Sequence, residues 1–140
     1  MQLPQELQHF AEPTLIVVAD RVHAQFWLAH EENMEDVEVL EVPKEHLSDH
    51  EGRAIGQELK DDDRLHHLIH LIVEKIEELV REGVADKIHL VMEAELAHQV
   101  AGHVSQEVTA KLGAQVHADL MKDDVLDVVK RVLHAEHPAM

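Results

Sequence analysis

The chain has 140 residues, no Cys and a formal charge of −17, with 29 acidic residues against 12 basic ones. This length holds one domain around one core, burying about 68–70% of the unfolded surface, and the missing Cys excludes disulfides, thiolate zinc sites and a cysteine nucleophile. The acidic balance disfavours tight unassisted binding to bare RNA or DNA, which draws on phosphate neutralisation by Lys and Arg.

Met1–Glu12 reads as a lead-in, and Pro4 and Pro13 punctuate it. It lacks the basic n-region and apolar h-region of a signal peptide. No apolar stretch approaches the ~20 residues of a membrane span, so a soluble, cytoplasmic protein is expected. Thr14–Ala19 is apolar at consecutive positions, which predicts a strand buried on both faces. Asp20-Arg21 forms a short turn, and His23–His30 follows at once. Its Ala24, Phe26 and Leu28 share one face, with His23, Gln25 and Trp27 on the other. So short a turn allows only antiparallel neighbours. Met34–Val42 predicts a third strand, setting Val37 and Val39 against Glu38 and Glu41.

Pro43–Lys60 is a long polar loop holding Gly52 and Gly56; loops of this length are commonly functional. Asp61-Asp62-Asp63 opens a helix with acids at the positive end of its dipole. Leu65, Leu68, Ile69, Ile72, Ile76, Leu79 and Val80 recur at helical spacing, and Gly83 ends the helix as a C-terminal cap. Lys87–Met92 predicts a short buried strand. Glu93–Leu112 reads as one helix with Ala97, Val100, Ala101, Val104 and Val108 inward, stopped by Gly113. Ala114–Ala118 is the last strand. Asp123 or Asp124 caps a final helix that buries Val125, Leu126, Val128, Val129, Val132 and Leu133.

The order β-β-β-α-β-α-β-α predicts a mixed five-stranded sheet, order 3-2-1-4-5, with three helices on its faces. That order centres Thr14–Ala19, as its two apolar faces require. It is the three-layer, ribonuclease H-like α/β arrangement, in a single domain over residues 1–140.

Thr14–His30 (TLIVVADRVHAQFWLAH), Gly52-Arg53 in an acidic loop, and Val116–Leu133 (VHADLMKDDVLDVVKRVL) together resemble bacterial proteins described as required for attachment to host cells. The shared motifs are Ala19-Asp20, Gly52-Arg53 and Asp119-Leu120, and the resemblance runs from about Pro13 to His134. That family is in turn similar to the central domain of archaeal and eukaryotic class I release factors and of Pelota. In release factors this domain carries a Gly-Gly-Gln loop that enters the ribosomal peptidyl-transferase centre. Gly56-Gln57 matches its second Gly and its Gln, while Ile55 stands in place of the first Gly. Gly permits positive φ and close backbone approach, which a β-branched Ile does not. Asp49, Glu51, Glu58 and Asp61–Asp63 also surround the loop with negative charge. The resemblance implies a binding loop of Arg53, Gly56 and Gln57, with the ribosome or a protein as partner.

The predicted topology also raises metal-dependent nuclease chemistry, which needs carboxylates converging on divalent cations. Asp20, Glu93 or Glu95, and Asp119 follow strands one, four and five, at the ends where open α/β sheets place ligands. Ribonuclease H-type enzymes carry an Asp within strand one, where this chain has Ile16, Val17 and Val18. Asp20 is more simply a turn residue, Glu93 an acid at a helix start and Asp119 a local hydrogen-bonding residue. His66 and His70 lie four apart on the first helix, a spacing that can hold zinc, nickel or copper; a pair of surface histidines in a chain with 14 of them is the simpler reading. Those histidines either bias the composition toward solubility or sense pH, which needs a bistable element. Trp27 is the only Trp, and aromatic residues make up 2% of the chain, so the base-stacking platforms of RNA readers are missing and Trp27 is expected in the core. Leu71 falls on the polar side of its helix, a place for a homodimer contact. The expected function is a non-catalytic, cofactor-free interaction protein of release-factor-like fold. The alternative is a hydrolase or nuclease using Gln57 or the strand-end acids Asp20 and Asp119.

Overall fold

The computed structural model describes residues 1–42 and 61–137. Five strands form one mixed sheet of order β3-β2-β1-β4-β5, the predicted topology. β1 (Phe10–Ala19), β2 (His23–Glu31) and β3 (Asn33–Glu41) run antiparallel to one another. β4 (Lys87–Val91) pairs parallel with β1, and β5 (Leu112–Val116) parallel with β4.

The consecutive apolar residues of β1 serve two cores. Leu15, Val17 and Ala19 face α1 (Asp61–Arg81) and α2 (Ala94–His103). Ile16 and Val18 face α4 (Val125–Glu136) and the N-terminal segment. All seven apolar residues of the α1 stripe are buried. Gly83 ends that helix at φ +74°, a conformation that favours glycine. The Val84 and Gly83 amides then donate to the carbonyls of Leu79 and Val80 at 2.9 and 3.0 Å, satisfying the helix end.

Four expectations are corrected. The lead-in is core: Leu3, Leu7 and Phe10 are buried around a 3-10 turn at Gln5–Leu7, and β1 starts at Phe10. Pro13 does not end the strand, because the β1–β2 register shifts between Phe10 and Thr14 and accommodates the missing donor. The single helix expected over Glu93–Leu112 is two, so the described residues hold four α-helices rather than three. Val104 is extended (ψ 158°), and Ser105 starts α3 (Gln106–Thr109), its Oγ accepting the Val108 amide at 3.3 Å. Gly113 is no helix stop but part of β5. Finally, Val125 and Leu126 are only partly buried, on the rim of the α4 face.

Candidate functional site

The turn between β1 and β2 and the residues after β4 and β5 come together at one end of the sheet. Asp20, Glu93 and Asp119 line one opening there, a cavity of about 290 Å³ shared with Ala19, Arg21 and Val22. The three strand-end acids are thus neighbours, as the topology implied. Each is engaged locally. Asp20 Oδ1 accepts the amides of Val22 and His23 at 2.8 and 2.6 Å, which fixes the hairpin turn. Asp20 Oδ2 lies 3.4 Å from His23 Nδ1. Asp119 Oδ1 accepts the Met121 amide at 3.3 Å. Glu93 lies 2.9 Å from Arg21 Nη2, a charge contact whose angles fall short of a hydrogen bond, with Glu95 at 3.8 Å. In the sequence Arg21 stands only as part of the turn. Its adjacency to Asp20 is the signal that a cation shares this opening.

His66 and His70 line a second cavity of about 390 Å³ between α1 and α2, with Ile69, Val73, Gln99 and His103. His103 Nδ1 donates to the Gln99 carbonyl at 2.6 Å, and His70 Nε2 is 3.5 Å from Glu74. His103 was missed in the sequence, although it lies four residues beyond Gln99 on one helix face. Among the described residues no group of three or more His, Asp or Glu is arranged to hold a metal ion. Arg53, Gly56 and Gln57 lie outside the described residues.

Trp27 is partly buried and packs against the α4-side core, as expected. Leu71 is not an exposed contact residue: it is partly buried against the α1-side core. With Leu40 and Val73 it floors a groove of about 570 Å³ between β3 and α1.

One buried polar group had no counterpart in the sequence reading. His89, inside β4, is fully buried, and its Nδ1 accepts the Ala114 amide at 2.8 Å. The β4–β5 register shifts between Ile88 and Leu90, and the ring takes the amide at that irregularity. The accepting Nδ1 fixes the neutral tautomer with its proton on Nε2, 3.7 Å from Glu136. Lys87 pairs closely with that carboxylate. Burial pushes the His89 pKa below its ordinary value, against the opposing pull of Glu136. Burial works against ionised Glu136, but its close pairing with Lys87 outweighs this and holds its pKa down.

The sequence matches no protein-family model and no curated protein. The fold is similar to an archaeal protein, at 16% identity and TM-score 0.53, over 88% of this chain and 35% of that one. It is also similar to the archaeal translation termination factor aRF1, at 12% identity and TM-score 0.51, over 85% of this chain and 37% of that one. The chain spans little more than a third of the length of either protein. At these identities the likeness is one of fold, and that fold is release-factor-like. No match shows the host-attachment family. Among the described residues no helix is long and apolar enough to cross a membrane.

Proposed function

We propose that this chain is a non-catalytic interaction domain of release-factor-like fold that works in association with the ribosome, in the cytoplasm. The observation that carries this reading is the fold likeness to a translation termination factor over 85% of the chain. The strand-end acids support it, because Asp20 and Asp119 accept backbone amides and Glu93 faces Arg21. The resemblance to host-attachment proteins fits as an indirect phenotype of such a partner-binding role. Sucrose-gradient fractionation at moderate salt tests the reading. The protein is expected in the fractions holding ribosomal particles; recovery only at the top of the gradient overturns it.

A second reading, metal-dependent hydrolysis, draws on the shared opening of Asp20, Glu93 and Asp119. Millimolar Mg²⁺ or Mn²⁺ then raises the melting temperature, because a cation bound to the native state alone stabilises it by mass action. Arg21 beside Glu93 opposes such a cation, and an unchanged melting temperature ends this reading.

A further inference from the structure

We propose that the groove between β3 and α1 takes an extended basic segment of a partner protein, added as a sixth strand along the outer edge of β3. This rests on reading the domain as an interaction module, but not on which particle it joins.

Among the described residues β3 ends the sheet, and an edge strand presents backbone donors and acceptors to any extended chain laid beside it. The N-terminus covers only the start of that edge. Gln2 bridges Asn33, and Met1 exchanges hydrogen bonds with Met34 at 2.7 and 2.9 Å. Among the described residues no strand pairs with the outer edge beyond that point. Farther along, Val39 is 55% exposed, a large apolar side chain left on the surface. On the other face of the strand, Leu40 joins Leu71 and Val73 in the apolar floor of the groove. A strand added here would set alternate side chains against the groove and toward Val39.

The rim selects the sign of the occupant. Glu38, Glu74, Glu77 and Glu78 line it against Lys75 and Arg81. The chain already shows what these acids hold. Lys75 Nζ reaches from α1 to within 3.6 Å of Glu38 on β3 and 3.3 Å of Glu78. It is an ammonium seated between the two walls. A lysine on a partner strand would meet the same chemistry. A second copy of this chain would not, because its own edge carries Glu35, Asp36, Glu38 and Glu41. Acids on an edge strand repel an identical edge.

The test uses the full chain and a fluorescent ten-residue peptide alternating Lys and Val, with anisotropy read at low salt. Two control peptides replace Lys by Glu, or methylate alternate backbone nitrogens. The expected result is saturable binding of the Lys–Val peptide alone. Glu38→Gln should weaken it by about two- to five-fold, the weight of one exposed ion pair. Lys75→Met removes the resident competitor and should tighten binding by a similar factor. Equal binding of the methylated peptide shows charge attraction without strand addition, and overturns the proposal. So does equal binding of the Glu–Val peptide, or a Lys75→Met variant that folds and binds no more tightly. A concentration-dependent dimer that excludes the peptide assigns the edge to a second copy instead. Peptide binding by a chain that stays at the top of the gradient keeps the groove and removes the ribosome. A chain that sediments with ribosomes but ignores the peptide does the reverse.

Discussion

At the scale of single residues, His89 and Gly113 form a unit. A Cβ on Gly113 would lie 2.7 Å from Cε1 and 2.8 Å from Nδ1 of His89. The glycine is there to make room for the ring, in contrast to Gly83, where a Cβ meets nothing but φ is positive. Gly113→Ala should destabilise the protein by about 1–3 kcal/mol, the usual cost of overpacking, measured by urea unfolding. In a His89→Ala background the same substitution should cost much less, because the clashing ring is gone. An equal cost in both backgrounds would remove the ring as the reason for the glycine. The same ring sets a pH dependence. Its native pKa is lowered, so the unfolded chain binds the proton first. The stability it contributes is fully present above the unfolded value of about 6.5 and is lost as pH falls through the native pKa. Lys87, Glu136, Glu12 and Ala114 surround it; Lys87 pairs closely with Glu136 and lies 3.8 Å from Glu12. Glu136 repeats the pattern lower down, with stability lost as pH falls below the ordinary glutamate range. Wild type should therefore lose stability as pH falls below about 6.5 relative to His89→Asn, which keeps an acceptor for Ala114 but does not titrate. Parallel stability curves for the two proteins contradict this.

At the scale of elements, the break between α2 and α3 does most to shape the α1 side of the sheet. Ser105 donates its amide and its hydroxyl to Glu77 on α1, at 2.6 and 2.9 Å, while its Oγ caps α3. One residue thus starts a four-residue helix and ties it to a 21-residue one. Ser105→Ala should cost about 1 kcal/mol, a typical cap loss, and speed hydrogen exchange at the Val108 amide. An unchanged Val108 exchange rate would show that burial of its side chain alone holds α3. In the sequence this stretch reads as continuous because Ala97, Val100, Ala101, Val104 and Val108 keep helical spacing. Spacing reports the buried face and is blind to a cap that interrupts it. The topology was legible for a related reason: five consecutive apolar residues, Leu15–Ala19, at the end of β1 demand burial on both faces and hence a central strand. The candidate site was legible only in outline. Asp20, Glu93 and Asp119 were placed by their positions after strands, a rule about topology. His89 and His103 depend on contacts between residues 25 and four apart, and an imidazole within an apolar strand announces neither its partner nor its tautomer.

At the scale of the whole molecule, charge is the dominant feature outside the two cores. A formal charge of −17 repels itself in the compact state more than in the expanded one. The exposed ion pairs oppose this only weakly: Arg21–Glu93 and Lys75–Glu38 are solvated contacts of a kind worth about 0–1 kcal/mol each. Salt screens both, but the excess charge outnumbers the pairs. Raising NaCl from about 0.02 to 0.5 M shortens the screening length from tens of ångströms to a few. The melting temperature should therefore rise, by several degrees if screening recovers about 1 kcal/mol in a domain of this size. A falling melting temperature would mean that the ion pairs, not the excess, govern stability. The groove beside β3 answers the same titration with the opposite sign. Attraction between its glutamates and a basic strand is screened along with the self-repulsion, so peptide affinity should fall over the salt range that stabilises the fold. Measured on one sample, the two slopes separate a specific acidic groove from a protein that is merely acidic. Loss of binding through unfolding would run with the loss of stability, whereas loss of binding by screening runs against it.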